Sequence, residues 1–378
     1  MSEEKIMILK MLKDGKISEE EALKLLNAVG EKKGEKAYKP NKKRNEIHIE
    51  ADDYDVFDAS DKFASKISNF VNKIVSKSLQ TAEEGMRNGR VYANFSFDDS
   101  KSFKNKKFAT LKLDLDKDKN KKYNLIINNT NEKIEILPSS SDQIEVYGKI
   151  YYTNKKDIPE NYEFINCFID EKEVLIEPNY SELTKKDFAV SLKVLVPAQD
   201  FATVKASTSN DKIKLDSIIC DELYLTTSND YIKIEDSIVG KSELKTTNDS
   251  VKIKDSKFSD LLINTTNAEI TLNNTPFVNL EAHTTNAYVD VKDIFNSAEN
   301  IIVTNSNGPV TLELESVSKN VKLNLRGLNK YTCPVIFDDD RFKLDKDNDE
   351  LTTASLNNDS ELTLFGDIKT SNGPIIIE

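Results

Sequence analysis

Five asparagines, Asn210, Asn229, Asn248, Asn267 and Asn286, stand nineteen residues apart, each inside a Thr-Ser-Asn-Asp, Thr-Thr-Asn-Asp or Thr-Thr-Asn-Ala word. Hydroxyls, amides and carboxylates repeated in line could hold a sugar or a cation, and they could equally bond to one another. Four places after the first three asparagines comes a lysine column, Lys214, Lys233 and Lys252; three places further on stand Ser217, Asp236 and Asp255. Acids and bases clustered on one outer face are what polysaccharide cleavage requires. Stacked lysines repel, however, and the adjoining Asp216 and Glu235 would relieve them, so the columns read as a solvated, charge-striped face. Asp114, Asp116, Asp118 and Asn120 alternate as calcium ligands do, and so do Asp345, Asp347 and Asp349. Both runs lack glycine at loop position six and glutamate at position twelve, where Leu125 and Leu356 stand; they read as solvated acidic loops.

The three cysteines, Cys167, Cys220 and Cys333, are far apart and odd in number, which fits neither a disulfide framework nor a zinc site. The two histidines, His48 and His283, cannot build a histidine-based metal site by themselves. No nucleophile–base pair and no phosphate loop is legible. The expectation is a protein with no catalytic residues, no metal and no cofactor. The net charge of −12 argues against nucleic acid as a partner.

What positions the repeated word is the pattern around it. Three places after each asparagine stand Ile213, Ile232, Val251, Ile270 and Val289, and five places after stand Leu215, Ile234, Ile253, Leu272 and Val291. Four places before stand Ala206, Leu225, Leu244, Ile263 and Ala282; ten places after come Cys220, Val239, Phe258 and Phe277. Every column is apolar, so each repeat offers the same inward positions. A unit this small cannot bury its apolar face alone, and stacking neighbours makes the core continuous. The fold class this predicts is mainly β, a single-stranded β-solenoid of about nineteen-residue coils.

The inward positions are even-numbered before the asparagine and odd-numbered after it, so the pleat changes parity at the turn. A left-handed backbone at the asparagine would serve that change. Stacked asparagine amides, with Thr208, Thr227, Thr246, Thr265 and Thr284 two places before them, would bond from coil to coil as a structural turn ladder. The same word returns at Asn131, Asn307 and Asn372. One architecture therefore spans residues 108–378, with an insertion at 142–200 and a loop-rich stretch at 326–361.

The remainder reads differently. Residues 1–30 predict a helical hairpin: Ile6, Leu9 and Leu12 at helical spacing, a stop at Asp14-Gly15, then Ser18 and Glu21 as a capping box. Residues 31–58 form a linker whose first part, 31–44, holds seven basic and two acidic residues. Residues 59–85 predict an amphipathic helix with Phe63, Ile67, Phe70, Val71 and Ile74 on one face, flanked by lysines. That face would meet either a partner, including a second copy of the chain, or a membrane surface. An acidic start and the absence of a run of about 20 apolar residues predict neither a signal peptide nor a membrane span. The expected location is cytoplasmic, the alternative a peripheral membrane or surface position reached by non-classical export.

"SLKVLVPA" at 191–198, the repeated [ST]-N-[DGA] words and the closing "SNGPIIIE" resemble the bacterial putative-adhesin family of DUF4097 type. The hairpin "ILKMLKDGKISEEEALKLLNAV" resembles the SHOCT-like N-terminal module of its YvlB/LiaX-like members. The resemblance implies a non-enzymatic binding or scaffold protein linked to cell-envelope stress or to surface interaction. It implies self-association through the N-terminal helices, or contact with an envelope component, and it brings no catalytic residues. A carbohydrate-active solenoid enzyme or a glycan-binding adhesin is the alternative.

Overall fold

The computed structural model describes residues 103, 105–115, 121–153, 158, 162–327, 334–337, 341–346, 351–357 and 359–378. The chain divides into two units, Met1–Phe95 and Ser96–Glu378, and every described residue belongs to the second. The helical hairpin, the linker and the 59–85 helix with its Phe63, Ile67, Phe70, Val71 and Ile74 face therefore lie outside the described residues. Those that are described contain strands and no helix, arranged in one sheet of 12 strands and one of 13.

Each repeat contributes a short strand to one sheet and a longer strand to the other. The short strands Ile213–Asp216, Ile232–Glu235, Val251–Lys254, Ile270–Asn273, Val289–Val291 and Val310–Leu312 pair in parallel, one after another. The long strands Asp200–Ser207, Ile219–Thr226, Ile238–Lys245, Lys257–Asn264, Asn279–His283 and Asn300–Thr304 do the same in the facing sheet. Register is kept residue for residue: Ile232 lies opposite Ile213 and Val251, and Leu244 opposite Leu225 and Ile263. Parallel strands sit about 4.8 Å apart, so each apolar column becomes a continuous buried stack. Ile213, Ile232, Val251, Ile270 and Val289 are all 0% exposed. Phe201, Phe258 and Phe277 fill the width between the sheets, and Cys220 and Val239 take the same place in their own coils.

Chain order and stacking order part company at both ends. Tyr123–Asn128 pairs with Asp200–Ser207 on one side and Glu173–Pro178 on the other. Ile134–Ser139 likewise lies between Phe188–Pro197 and Ile213–Asp216. Residues within 142–200 thus supply a coil that stacks outside the one preceding it in sequence. At the far end Thr363–Thr370 sits between Asn300–Thr304 and Asn320–Gly327, and Ile375–Ile377 between Val310–Leu312 and Val335–Phe337.

Beyond these coils the pairing turns antiparallel. Asn105–Asp114 and Gln143–Tyr152 follow Phe188–Pro197 in one sheet, and Ile165–Ile169 follows Glu173–Pro178 in the other. Leu351–Leu356 and Lys343–Lys346 follow Asn320–Gly327. An antiparallel strand cannot continue the coil, so at these three sheet edges it ends the stack and removes the parallel edge that a further copy could extend; the far edge of the 12-stranded sheet is the short parallel strand Val335–Phe337. Four rings, Tyr162, Phe164, Tyr180 and Phe188, close the first end; Phe164 meets Phe188 edge to face at 5.2 Å.

The intercalated coil makes a testable demand. Deleting residues 363–378 opens a gap inside the stack, stranding Asn320–Gly327 and its antiparallel neighbours. The truncated chain should melt at a lower temperature and lose a single cooperative transition in denaturant, because repeat stability resides largely in interfaces between neighbours. An unchanged melting curve by circular dichroism would contradict the intercalation.

Candidate functional site

The repeated asparagines form a continuous side-chain ladder. The Asn210 Nδ2 donates to Asn131 Oδ1 at 2.7 Å, Asn229 to Asn210 at 2.5 Å and Asn248 to Asn229 at 2.7 Å. Asn267 donates to Asn248 at 2.9 Å, Asn286 to Asn267 at 2.7 Å, Asn307 to Asn286 at 2.8 Å and Asn372 to Asn307 at 2.9 Å. One amide per coil, at one height and pitch, lets each residue donate upward and accept from below. The ladder crosses the changes in chain order: Asn131 meets Asn210 and Asn307 meets Asn372 because their coils are neighbours in space.

A second, buried row lies just inside it. The hydroxyls of Thr208, Thr227, Thr246 and Thr284 donate to the turn carbonyls of Glu132, Asp211, Asp230 and Ala268 at 2.9, 2.8, 3.1 and 3.0 Å. Where the row carries asparagine instead, Asn305 Nδ2 reaches the Ala287 carbonyl at 2.6 Å. The Thr265 hydroxyl is buried in the same row and has no hydrogen-bond partner.

The left-handed residues are not the asparagines. Among described non-glycine residues, positive φ occurs at Ser217 (59°), Asp236 (50°), Asp255 (50°), Asn274 (49°), Asp293 (57°) and Asp359 (54°). The first five stand seven places after a ladder asparagine, at the corner where the short strand hands over to the long one. The expectation of a left-handed ladder turn is overturned. The corner is the tighter of the two, and small polar residues bear its backbone best. Ser237 and Ser256 brace it: each hydroxyl donates to the carbonyl two residues back, Glu235 and Lys254, at 2.8 Å. Each also accepts from the preceding coil, from the Ile218 and Ser237 N–H groups at 3.2 and 3.1 Å.

This reassigns the charge columns. Ser217, Asp236 and Asp255 are corner residues, not half of an acid–base pair with the lysines. Lys214, Lys233 and Lys252 do lie side by side. Lys233 pairs with Glu235 at 3.1 Å and Lys252 with Glu269 at 3.0 Å. Asp216 is buried and accepts the Ser217 hydroxyl at 2.7 Å. Burial pushes the Cys167 thiol up to about 12 and raises that of Cys220 further, which removes the thiolate a nucleophile needs. Of the two acidic runs, residues 116–120 and 347–350 lie outside the described residues, and Asp114 accepts the Gln143 amide at 2.5 Å. No cluster of three or more potential metal ligands occurs among the described residues.

The sequence pattern gave no sign of a cleft of about 440 Å³ beside the first rungs of the ladder. Its lining includes Asn128, Asn166, Glu177, Tyr180 and Lys185. Here the segment 178–187 replaces the short polar turn. Its walls are fixed by Tyr162 Oη donating to the Asn179 carbonyl at 2.7 Å and by Asn179 Nδ2 donating to the Glu163 carbonyl at 2.9 Å. The Tyr180 ring packs on Phe188 at 4.8 Å.

Residues 3–34 match a SHOCT-like domain, and residues 123–326 match the family described as Toastrack DUF4097. The second match spans more than half of the chain. The chain belongs to the Toastrack DUF4097 family. No curated protein matches it. Solved structures that resemble it include a "putative cell adhesion protein" from Clostridium sporogenes, 14% identical over 72% of this chain and 99% of that one, at a TM-score of 0.24. A "putative adhesin" from Parabacteroides merdae is 12% identical over 55% of this chain and 89% of that one, at 0.30. Another from Bacteroides fragilis is 10% identical over 72% and 97%, at 0.27.

Within the Toastrack stack, the lone Thr265 hydroxyl separates structural from idle polar groups. Thr227→Val should cost about 1–2 kcal/mol by denaturant titration, because it removes the bond to the Asp211 carbonyl. Thr265→Val, which removes a buried hydroxyl with no partner, should be neutral or stabilising. Equal losses would show the row to be indifferent to these bonds.

A neighbouring column carries a cost. Asp211, Asp230 and Asp249 follow successive ladder asparagines, and each Oδ1 accepts the next residue's N–H at 2.8, 2.7 and 2.6 Å. Burial raises the Asp230 carboxyl above its ordinary value; the Tyr231 N–H opposes this, and the charges of Asp211 and Asp249 add to it. A carboxyl whose folded value is raised stabilises the fold below its unfolded value, about 3.9, and loses that contribution as pH climbs through the raised one. Asp230→Asn keeps the acceptor and discards the charge. It should melt higher than the parent at pH 7, with the gap closing as the pH falls towards about 4; a lower melting point at pH 7 would refute the repulsion.

Proposed function

We propose that this chain is a non-enzymatic binding scaffold of the bacterial cell envelope, with the solenoid as its rigid surface and the N-terminal segment as its means of self-association. The constant register of the repeats from Asp200–Ser207 to Val310–Leu312 carries the reading. It fixes rows of outward side chains at a constant pitch on a frame locked by the asparagine ladder, which suits holding a partner. It offers little to catalysis: the cleft is lined by one carboxylate, Glu177, whereas glycoside cleavage commonly uses two.

The link to envelope stress or surface interaction rests on the family resemblance. No helix among the described residues is long and apolar enough to cross a membrane. The reading places the chain on the cytoplasmic side, with a peripheral membrane or surface position as the other placement. Protease added to intact cells separates the two, since cleavage before lysis would overturn the cytoplasmic one.

Self-association has its own test. Removing residues 1–95 should lower the molar mass measured by light scattering to that of a single chain and leave the melting point of the solenoid unchanged. An unchanged state of association would refute a scaffold assembled through its N-terminal segment.

A further inference from the structure

We propose that the cleft beside the first rungs of the ladder binds a neutral saccharide, an inference that rests on the non-enzymatic binding reading above. Its floor is a short row of side chains in register across three adjacent strands. Asn166 lies opposite Glu177. Asn128 follows Ile127, which lies opposite Ile176, the residue before Glu177. The three side chains thus share the outer face of the sheet at the spacing of neighbouring strands, about 4.8 Å. The Asn128 Nδ2 reaches Glu177 Oε2 at 3.5 Å, a long contact that leaves the carboxylate with accepting capacity to spare. The Asn166 amide and the Lys185 ammonium make no bond to any described side chain, and both line the cleft. Tyr180, half-buried on Phe188, supplies an aromatic wall.

The donor and acceptor count selects the ligand. A sugar hydroxyl both donates and accepts, and so does an asparagine amide; a carboxylate flanked by two amides is a surface that hydroxyls on one ring edge can satisfy in full. One carboxylate against one ammonium leaves the lining without net charge, which disfavours a phosphate or a polyanion. The volume lies within the range of small-molecule sites, about 300–1,000 Å³. The walls are held by backbone-directed bonds from Tyr162 and Asn179, so little ordering remains to be done when a ligand arrives.

The row also differs from its continuation. The same outward positions carry Ser207, Thr226, Lys245, Asn264 and His283 along the following coils, where the short polar turn leaves no overhanging wall. Among the described residues, the row acquires a side to the pocket where the segment 178–187 replaces that turn.

Isothermal titration of the full chain with maltose, cellobiose, lactose and N,N′-diacetylchitobiose tests the assignment. At least one should bind with a millimolar or tighter dissociation constant. Asn166→Ala and Glu177→Gln should each weaken that binding roughly tenfold, a loss of about 1.4 kcal/mol, without moving the melting point. Lys245→Ala, farther along the same face, should leave it unchanged. Absence of binding by all four disaccharides, indifference of binding to both cleft variants, or displacement of the sugar by glycine or inorganic phosphate would each overturn the proposal. New reducing ends appearing during the titration would overturn the non-enzymatic reading while leaving the cleft assignment standing; loss of binding alone leaves the scaffold reading intact.

Discussion

Parallel stacking at constant pitch is the constraint from which the rest of this fold follows. Once each coil lies on its neighbour residue for residue, every side chain meets its own counterpart about 4.8 Å above and below. Apolar side chains gain from that arrangement because their stacks exclude water along the whole length. Asparagine gains because its amide donates at one end and accepts at the other. Like charges lose: Asp230 stands in such a column, where burial raises its carboxyl and the charges of Asp211 and Asp249 above and below add to the rise. The following coils carry Ala268 and Ala287 at that position, which ends a run of charge that begins at Glu132, the residue after Asn131.

The same constraint sets the problem of the ends. A parallel stack presents an open edge at each terminus, and a chain that merely stopped would offer it to another strand. Here three of the four sheet edges are covered by antiparallel strands, Gln143–Tyr152 and Ile165–Ile169 at the first end and Leu351–Leu356 at the other, while the fourth is the three-residue parallel strand Val335–Phe337. Each cap belongs to a chain that travels outward, turns and comes back, so at both ends one coil lies between two that precede or follow it out of sequence. The asparagine ladder passes through both places without a break. Register, not chain continuity, therefore selects the partner of each rung.

Much of this was legible in the sequence for one reason: a register-locked stack writes its periodicity into the chain. The spacing of Asn210 through Asn286 and the apolar columns around it specify the coil, its inward faces and the amides available for a ladder. Two features were not legible. The left-handed corner at Ser217, Asp236, Asp255, Asn274 and Asp293 is occupied by residue types that suit any polar turn, and the asparagine word looked the better host for positive φ. Stacking order at the ends depends on which coil pairs with which, and the sequence spacing of 79 between Asn131 and Asn210 says nothing of their contact. The cleft escaped for a related reason. It is built from Asn166, Glu177 and Asn128, which are neighbours only after coils from separate parts of the chain have stacked.

That dependence locates where a Toastrack solenoid can acquire a ligand. Inward columns, the threonine row and the asparagine ladder are each committed to a neighbour above and below, so a change in one coil disturbs two interfaces. The outward row Lys205, Tyr224, Glu243, Leu262, Glu281 and Ile302 carries no such commitment and mixes charges, a ring and aliphatics freely. A flat row alone makes a poor pocket, because it surrounds nothing. Concavity requires a turn that departs from the repeat, and departure is tolerated where one side of the coil faces a cap instead of another repeat. The segment 178–187 sits in such a coil. Stability and recognition are therefore separated along the stack: the repeats supply the rigid frame, and the irregular end supplies the walls.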